Sequence, residues 1–425
     1  MNEEKMVLMT PLQCAYMIER KNTAENMGVP CHVYMEFQTK KDIEEKSLKA
    51  AWAELFKIHP MMRARCDDCG ILYIGDFKQI QCYKAYKEWD IGEFERKNIR
   101  QKISHQILDV ENEVACQLHV IKSQDKICRI GFELDLVICD VHSFQVILKD
   151  LADMYMKIRD GKGIFYQSGE EIEVKNIICQ DEVLKAKRYW QERMGNDYIE
   201  FPFKVQKNIQ ELSQYNYISF QSEIENKEYD AIVKLAVKQG VTVEVYLLIV
   251  LCYVVLQETG KKRILVNYLL SERNQRNLNT VGDFTKSIIF KCESETDMCF
   301  KKFFDSMYEI YRKDWSHCCL DGLSIQTIIK KSTNEKYPVP FVFSPSLNMP
   351  IVTAEFTSNI GELVYIISQT PGVWLDAQVY RKDDGLFFTW VILKEVLDEV
   401  EIANIFNTYI KYILKLNDIG NWRKK

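Results

Sequence analysis

The chain has 425 residues, of which 47% are hydrophobic and 28% are charged, and its formal net charge is -5. This composition is that of a globular protein long enough for two domains. Lys and Arg are scattered among Asp and Glu, which excludes a basic stripe for nucleic acid and argues against polyanionic partners.

The apolar segments are too short for a membrane protein. No window reaches the roughly 18 uninterrupted apolar residues that a membrane helix needs. The longest apolar run, VYLLIVLCYVVL at 245–256, is predicted to be a buried core helix. The N-terminal MNEEKMVLMTPLQ has no apolar signal segment, and 14 cysteines favour a reducing compartment. We therefore predict a cytoplasmic protein with no membrane association.

The first half contains a helix, two strands and a second helix. Apolar residues at helical spacing predict the first helix over 43–58. ACQLHVIKS and KICRIGFELDL follow as two strands, separated by a turn at Ser123 to Asp125. A second apolar stripe runs from Phe144 to Tyr155. The intervening LDLVICDVHS, residues 134–143, is therefore a strand, loop and helix junction.

The second half begins after a polar, irregular stretch at 160–182, which predicts a boundary between lobes at 1–175 and 176–425. Strand candidates then alternate irregularly with helices. They are RILVNYLL, SIIFKC, VPFVFS, ELVYIIS and LDAQVYRKDDGLFFTWVI. This pattern predicts a mixed α/β (α+β) fold without the strict alternation of a doubly wound sheet.

The common nucleotide-binding, zinc-protease and serine-hydrolase motifs are absent from the sequence. Cys66 and Cys69 have C-x-x-C spacing but lack a second pair, so an incidental pair is favoured over a metal site. His142 is the histidine nearest to the junction, and we favour a solvent-facing position at a helix start over a general base. The sequence thus predicts no bound cofactor and no metal.

The junction resembles the condensation-domain superfamily of nonribosomal peptide synthetases, and within it the heterocyclization domains. Ordinary members carry H-H-x-x-x-D-G at this point, whereas this chain has the D-x-x-x-x-D-x-x-S pattern of the cyclizing branch, with Asp135, Asp140 and Ser143. Further segments match family motifs in the same order along the chain. They are TPLQCAYMIER, GVPCHVYMEF, HPMMRAR, KRYWQERM, VGDFTKS, FVFSPS and SQTPGVWLDAQV.

The resemblance implies two chloramphenicol-acetyltransferase-like lobes in a V-shaped pseudodimer with a central tunnel. It also implies donor and acceptor peptidyl carrier proteins, whose phosphopantetheine arms hold the substrates, and adenylation modules of a synthetase. The implied reaction condenses an acyl or peptidyl thioester with carrier-bound Cys, Ser or Thr, then cyclodehydrates the product to a thiazoline or oxazoline. The sequence contains neither adenylating segment nor carrier module, so we expect it to act in trans or within a longer synthetase.

The resemblance also assigns candidate catalytic residues. Asp376 follows three apolar residues, and burial of a carboxyl group raises its pKa toward a value suited to acid and base catalysis. In the family this aspartate works with a hydroxyl residue, matched here by Ser344, where a serine replaces the usual threonine and Pro345 the following serine. Asp135 replaces the first histidine of the usual motif, and catalysis or positioning and fold support stay equally open for it.

Other residues are expected to support the site. The resemblance pairs Asp140 with an arginine of the other lobe, matched by Arg273, which makes Asp140 structural. For Ser143, capping of the following helix is favoured over catalysis. The remaining site-shaping candidates are Asp283, Thr285, Trp374 and Gln378.

Two alternative functions remain open. An amide-forming condensation enzyme without ring closure is compatible with the altered VFSPS segment. A non-catalytic module that recruits carrier proteins is the other alternative, although the joint presence of the aspartates, Arg273 and Trp374 argues against it.

Overall fold

The computed structural model describes residues 5–21, 27–75, 82–87, 93–163, 180–195, 199–294, 298–382 and 385–423. The strands are β1 (Lys5–Leu8), β2 (His32–Gln38), β3 (Ala64–Cys66), β4 (Ile71–Ile74), β5 (Tyr83–Lys87), β6 (Cys116–Ser123), β7 (Lys126–Asp135), β8 (Tyr217–Glu225), β9 (Arg263–Ser271), β10 (Thr285–Glu293), β11 (Phe341–Pro350), β12 (Glu362–Gln369), β13 (Leu375–Lys382) and β14 (Gly385–Leu393). The helices are α1 (Pro11–Glu19), α2 (Glu45–Ile58), α3 (Glu93–Ser104), α4 (Val141–Arg159), α5 (Gln180–Met194), α6 (Asn226–Gln239), α7 (Val243–Thr259), α8 (Phe300–Trp315), α9 (Gly322–Thr333), α10 (Ala354–Asn359) and α11 (Glu399–Leu416).

The chain divides into two compact units. The first comprises Met1–Glu173, Ser271–Thr285 and Met349–Pro371, and the second comprises Val174–Leu270, Lys286–Asn348 and Gly372–Lys425. The boundary predicted at 175 lies outside the described residues. The prediction also assigned 271–285 and 349–371 to the second lobe, whereas these two segments are part of the first compact unit.

The first unit contains a five-stranded sheet in the order β12, β2, β7, β6, β5. β2 and β7 are antiparallel, with His32 opposite Asp135. The predicted turn between β6 and β7 is confirmed, since Gln124 and Asp125 have positive φ angles of 49° and 63°. β7 therefore ends at Asp135, directly before the junction.

The helices predicted before and after β6 and β7 in the sequence are confirmed as α2 and α4. Strand residues alternate between two faces, so Phe132 and Leu134 of β7 point to one side and Glu133 and Asp135 to the other. On the apolar side, the Trp52 ring of α2 lies 5.8 Å from the Phe132 ring. This contact packs α2 against the apolar face of β7.

The second unit contains a six-stranded sheet in the order β10, β9, β11, β13, β14, β8. β9 and β11 are parallel, whereas β13 and β14 are antiparallel, with Asp376 opposite Val391. The mixture of parallel and antiparallel pairs confirms the predicted α/β class without strict alternation. It also sets Ser344 of β11 and Asp376 of β13 on adjacent strands.

The apolar run 245–256 forms a buried helix, as predicted. Every residue from Val245 to Leu256 is buried, as expected of a helix that is apolar on all sides. Its N-terminal cap is Thr242, whose hydroxyl accepts a hydrogen bond from the Val245 amide, and its C-terminal cap is Gly260, where φ is 66°. No single described helix meets the length and apolarity of a membrane span, although α6 and α7, bent by 95°, meet them as a pair.

Candidate active site

Asp140 is the N-terminal cap of α4 and lies at the junction predicted from the sequence. Its Oδ1 accepts hydrogen bonds from the Ser143 amide at 2.7 Å and the Ser143 hydroxyl at 2.8 Å. A carboxylate at this position satisfies an unpaired amide and interacts favourably with the helix dipole. The local sequence therefore accounts for the capping role of Asp140.

Asp140 also forms an ion pair with Arg273. Arg273 Nε lies 3.1 Å from Asp140 Oδ2 and its Nη2 lies 2.7 Å from Oδ1, a two-point ion pair. Arg273 also donates to the carbonyl oxygens of Asn277 and Thr280, both at 2.7 Å. The predicted pairing is therefore observed. The prediction that the arginine comes from the other lobe is wrong, because Ser271–Thr285 is part of the same compact unit as Asp140.

Two predictions for α4 are wrong. Ser143 does not cap the helix, because Asp140 does, and the buried Ser143 Oγ instead accepts from the Gly282 amide at 3.0 Å and from Arg273 at 2.7 Å. His142 is buried rather than solvent-facing, and its Nε2 lies 2.8 Å from the Leu278 carbonyl oxygen. In both cases the segment 271–285 covers the helix start, a long-range contact without a local sequence signal.

Asp135 is fully buried at the end of β7. Its Oδ2 pairs with Arg20, the C-terminal cap of α1, and its Oδ1 accepts a hydrogen bond from the Val137 amide at 3.0 Å. Both oxygens thus bind groups of the protein itself. This geometry favours fold support for Asp135 over a catalytic role.

Asp283 and Thr285 lie in the same covering segment. Asp283 Oδ1 accepts from the Thr285 amide at 3.0 Å, whereas its buried Oδ2 has no hydrogen-bond partner among the described residues. Burial raises the pKa of Asp283 to about 7, and the nearby charge of Asp140 adds to this rise. The segment therefore contains a second buried carboxyl group beside the Asp140 ion pair.

Asp376 lies in the second unit, where β13 and β11 bring it against Ser344. The Ser344 hydroxyl donates to Asp376 Oδ1 at 2.6 Å, and the Gln378 side-chain amide donates to Oδ2 at 2.6 Å. The Asp376 side chain is buried, with 8% of the residue exposed. The predicted set of Asp376, Ser344 and Gln378 is therefore brought together by direct contacts.

The Asp376 carboxyl can exchange a proton near neutral pH. Burial raises its pKa to about 6, while the hydrogen bonds from Ser344 and Gln378 oppose that rise. Burial has this effect because a charged group loses solvation in an apolar environment. A carboxyl group with this pKa is suited to both accept and donate a proton at physiological pH.

Trp374, two residues before Asp376, lines a cavity of about 600 Å³ in the second unit. Phe201, Tyr337 and Pro340 are also part of the lining, and the Phe201 and Trp374 ring centroids are 5.0 Å apart. The buried indole Nε1 of Trp374 has no hydrogen-bond partner among the described residues. Trp374 therefore contributes an aromatic side chain to a cavity of mixed polar and apolar lining, next to the strand that carries Asp376.

Sequence reasoning missed two residues of these groups. Tyr380 donates a hydrogen bond to Gln378 at 2.9 Å, and its position was signalled by the alternation of Asp376, Gln378 and Tyr380 along one strand. Arg20, the partner of Asp135, is 115 residues away in sequence and had no such signal. Within the described residues, no group of His, Cys, Asp or Glu side chains is arranged to hold a metal ion.

The Condensation domain family profile matches residues 3–360. The chain is 24% identical over 438 residues to pyochelin synthetase PchE of Pseudomonas aeruginosa, covering 98% of this chain and 29% of that protein. It is 24% identical over 429 residues to phenyloxazoline synthase MbtB of Mycobacterium bovis, covering 96% and 29%.

Among solved structures, the chain is similar to the EpoB NRPS cyclization-docking bidomain from Sorangium cellulosum. The TM-score is 0.83 at 19% identity, and the match covers 98% of this chain and 86% of that one. This similarity confirms the predicted condensation-domain fold. The chain spans about 29% of the length of the two curated relatives. Since the family profile matches most of its length, the chain belongs to the Condensation domain family.

Proposed function

We propose that this chain is a heterocyclization domain of nonribosomal peptide synthesis, acting in the cytoplasm. It would condense a carrier-bound acyl or peptidyl thioester with carrier-bound Cys, Ser or Thr and cyclodehydrate the product to a thiazoline or oxazoline. The observation that carries this proposal is the buried Asp376, which accepts hydrogen bonds from two neutral donors and has a pKa of about 6. The names of its relatives, a phenyloxazoline synthase and a cyclization bidomain, support the same activity.

The proposed substrates are held by donor and acceptor peptidyl carrier proteins through phosphopantetheine arms. The amine of the acceptor attacks the thioester carbonyl, a carbon–nitrogen bond forms, and the donor thiol leaves with a proton. Holding both reactants in one orientation can supply roughly 7–11 kcal/mol of barrier lowering. Condensation therefore needs mainly positioning from the protein.

Ring closure needs proton transfer as well. The side-chain thiol or hydroxyl of the acceptor residue adds to the new amide carbonyl carbon, and its proton moves to the former carbonyl oxygen. That oxygen must then accept a second proton and leave as water, while the nitrogen loses its proton to form the carbon–nitrogen double bond. Asp376 is proposed to take the proton from nitrogen and deliver one to the departing oxygen, so it ends each cycle ionised.

Ser344 is proposed to position Asp376 and the ring intermediate. Its hydroxyl donates to Asp376 Oδ1, which leaves the lone pairs of its oxygen free to accept a hydrogen bond from the substrate. This role requires a hydroxyl group but not a threonine. The replacement of threonine by serine is therefore compatible with activity.

A second function, amide formation without ring closure, is favoured by one observation. Ser344 and Pro345 stand where the resembled family carries threonine and serine. The proline removes a backbone donor and fixes φ close to this hydroxyl. If the altered segment misplaces the hydroxyl, condensation would continue and dehydration would stop.

The experiment that separates these functions is a mass measurement on loaded carriers. The chain is incubated with one carrier loaded with an acyl group and another loaded with cysteine, and the acceptor product is ejected and weighed. A heterocyclization domain gives a product lighter than the linear amide by one water molecule. A linear amide alone supports the second function, and recovery of only the two starting thioesters contradicts both.

A further inference from the structure

A chain of buried hydrogen bonds extends from Asp376 along one face of β13. Gln378 donates through Nε2 to Asp376 Oδ2 at 2.6 Å, and the Tyr380 hydroxyl donates to Gln378 Oε1 at 2.9 Å. Gln378 is 3% exposed and Tyr380 is 2% exposed. Alternate residues of a strand share a face, which explains why these three side chains meet.

Tyr380 favours the orientation in which the side-chain nitrogen of Gln378 faces Asp376. An ionised carboxylate can only accept hydrogen bonds, so it requires the amide NH₂ group. The other end of the amide, Oε1, then needs a donor. Burial and the charge of Asp376 raise the pKa of Tyr380 well above its ordinary value, so the phenol keeps its proton and donates.

We propose that Tyr380 is a positioning residue for Asp376, acting through the orientation of the Gln378 side chain. This inference rests on the proposed function of Asp376 as the group that transfers protons during ring closure. Tyr380 itself contacts Gln378, and its effect on Asp376 is transmitted by one amide group.

Loss of the Tyr380 hydroxyl removes a buried donor from Gln378 Oε1 and weakens the hold on the orientation of the amide. The amide can then rotate so that Oε1 faces Asp376, an arrangement that suits a protonated carboxyl group and opposes an ionised one. The two neighbours on the adjacent strands carry no charge that would compensate. Ser344 of β11 is neutral and already donates to Oδ1, and Val391 of β14 stands opposite with an apolar side chain.

The test compares Tyr380→Phe with Tyr246→Phe as a matched control. Tyr246 is also fully buried in the second unit, and its hydroxyl has no hydrogen-bond partner among the described residues. The substrate-free proteins are titrated by infrared difference spectroscopy, with the Asp376 carboxyl band identified from Asp376→Asn. We expect Tyr380→Phe to raise the midpoint of the Asp376 titration by about one pH unit and Tyr246→Phe to leave it in place.

Activity gives a second readout. Because the proposed cycle starts from ionised Asp376, Tyr380→Phe should slow ring closure about fivefold at pH 6 and by roughly a tenth at pH 8, with linear amide formation unchanged. An unchanged titration midpoint in a folded Tyr380→Phe protein overturns the inference. If that variant does not fold, Tyr380→Met removes the same hydroxyl donor and leaves Gln378 in place, and an unchanged midpoint there overturns the inference equally.

The two proposals fail in different ways. If the wild-type protein forms no ring, the proposed function fails, while the spectroscopic titration still reports on the hydrogen-bond chain. If the wild-type protein forms the ring and both tyrosine variants titrate alike, the function stands and the positioning role of Tyr380 is rejected.

Discussion

Asp140 and Asp376 are both buried aspartates, but their hydrogen-bond partners differ in charge. Asp140 binds the guanidinium of Arg273 at two points and caps α4. Asp376 accepts from a serine hydroxyl and a glutamine amide, neither of which carries a charge. The first carboxylate is matched by a full positive charge, while the second is stabilised only by dipoles.

This difference separates a structural role from a chemical one. Removing either partner of a buried ion pair lowers the stability of the fold, because the remaining charge is buried without a counter-charge. A buried carboxyl group with neutral donors stays close to the balance between its protonated and ionised forms, which is what proton transfer requires. Substitutions at the two positions should therefore affect different properties of the protein.

The largest expected effect is on ring closure in Asp376→Asn. Asparagine has nearly the same shape but cannot transfer a proton, so we expect ring closure to slow by about 10²–10⁴-fold while linear amide formation continues. Single-turnover assays that weigh both products measure the two steps in one sample. Equal loss of both steps would contradict the role assigned to Asp376.

At the other aspartate, Asp140→Ala should lower the free energy of unfolding by about 3–5 kcal/mol, because Arg273 is left buried and unpaired. Asp398→Ala is the control, since Asp398 caps α11 through the amides of Val400 and Glu401, and its other side-chain partner among the described residues is the neutral Gln206. Its loss should cost much less, because no buried charge is left without its partner. Urea unfolding measures both values, and equal costs would show that capping alone explains Asp140.

The pH dependence of the free energy of unfolding should show that Asp376 has a raised pKa in the folded protein. The folded-state pKa of Asp376 is about 6, above its ordinary value of 3.8, so the folded protein binds this proton more tightly than the unfolded chain. The resulting stabilisation is present below pH 4 and is lost as pH rises through 6, a difference of about 3 kcal/mol. Chemical unfolding of wild type and Asp376→Asn across this interval measures it, and a constant difference would contradict the raised pKa.

The smallest expected effect concerns the residue that departs from the family pattern. Ser344→Thr restricts the side-chain rotamer, which saves about 0.5 kcal/mol of ordering entropy and should speed ring closure roughly twofold. Ser344→Ala is the matched control, and it should slow ring closure because Asp376 loses a donor. If Ser344→Ala closes the ring as fast as wild type, the hydroxyl has no role.

Much of the local structure could be predicted from the sequence. The helices α2, α4 and α7 follow from the spacing of apolar residues, and the turn between β6 and β7 follows from its polar residues. The contact between Ser344 and Asp376 was anticipated through the family motifs, although the two residues are 32 positions apart. Tyr380 could have been found by the same alternation that places Gln378 beside Asp376.

Other features were beyond local reasoning. The covering of α4 by Ser271–Thr285 buries His142 and supplies Arg273, which is 133 residues from Asp140. Asp135 meets Arg20 in the same way, across 115 residues. The sequence by itself determined α2, α4, α7, the β6–β7 pair and the resemblance to the family, because side-chain periodicity and short motifs are properties of neighbouring residues. Only the tertiary structure decided which charges are paired and which carboxyl groups are left with neutral partners, because those contacts join distant segments whose packing no local pattern encodes.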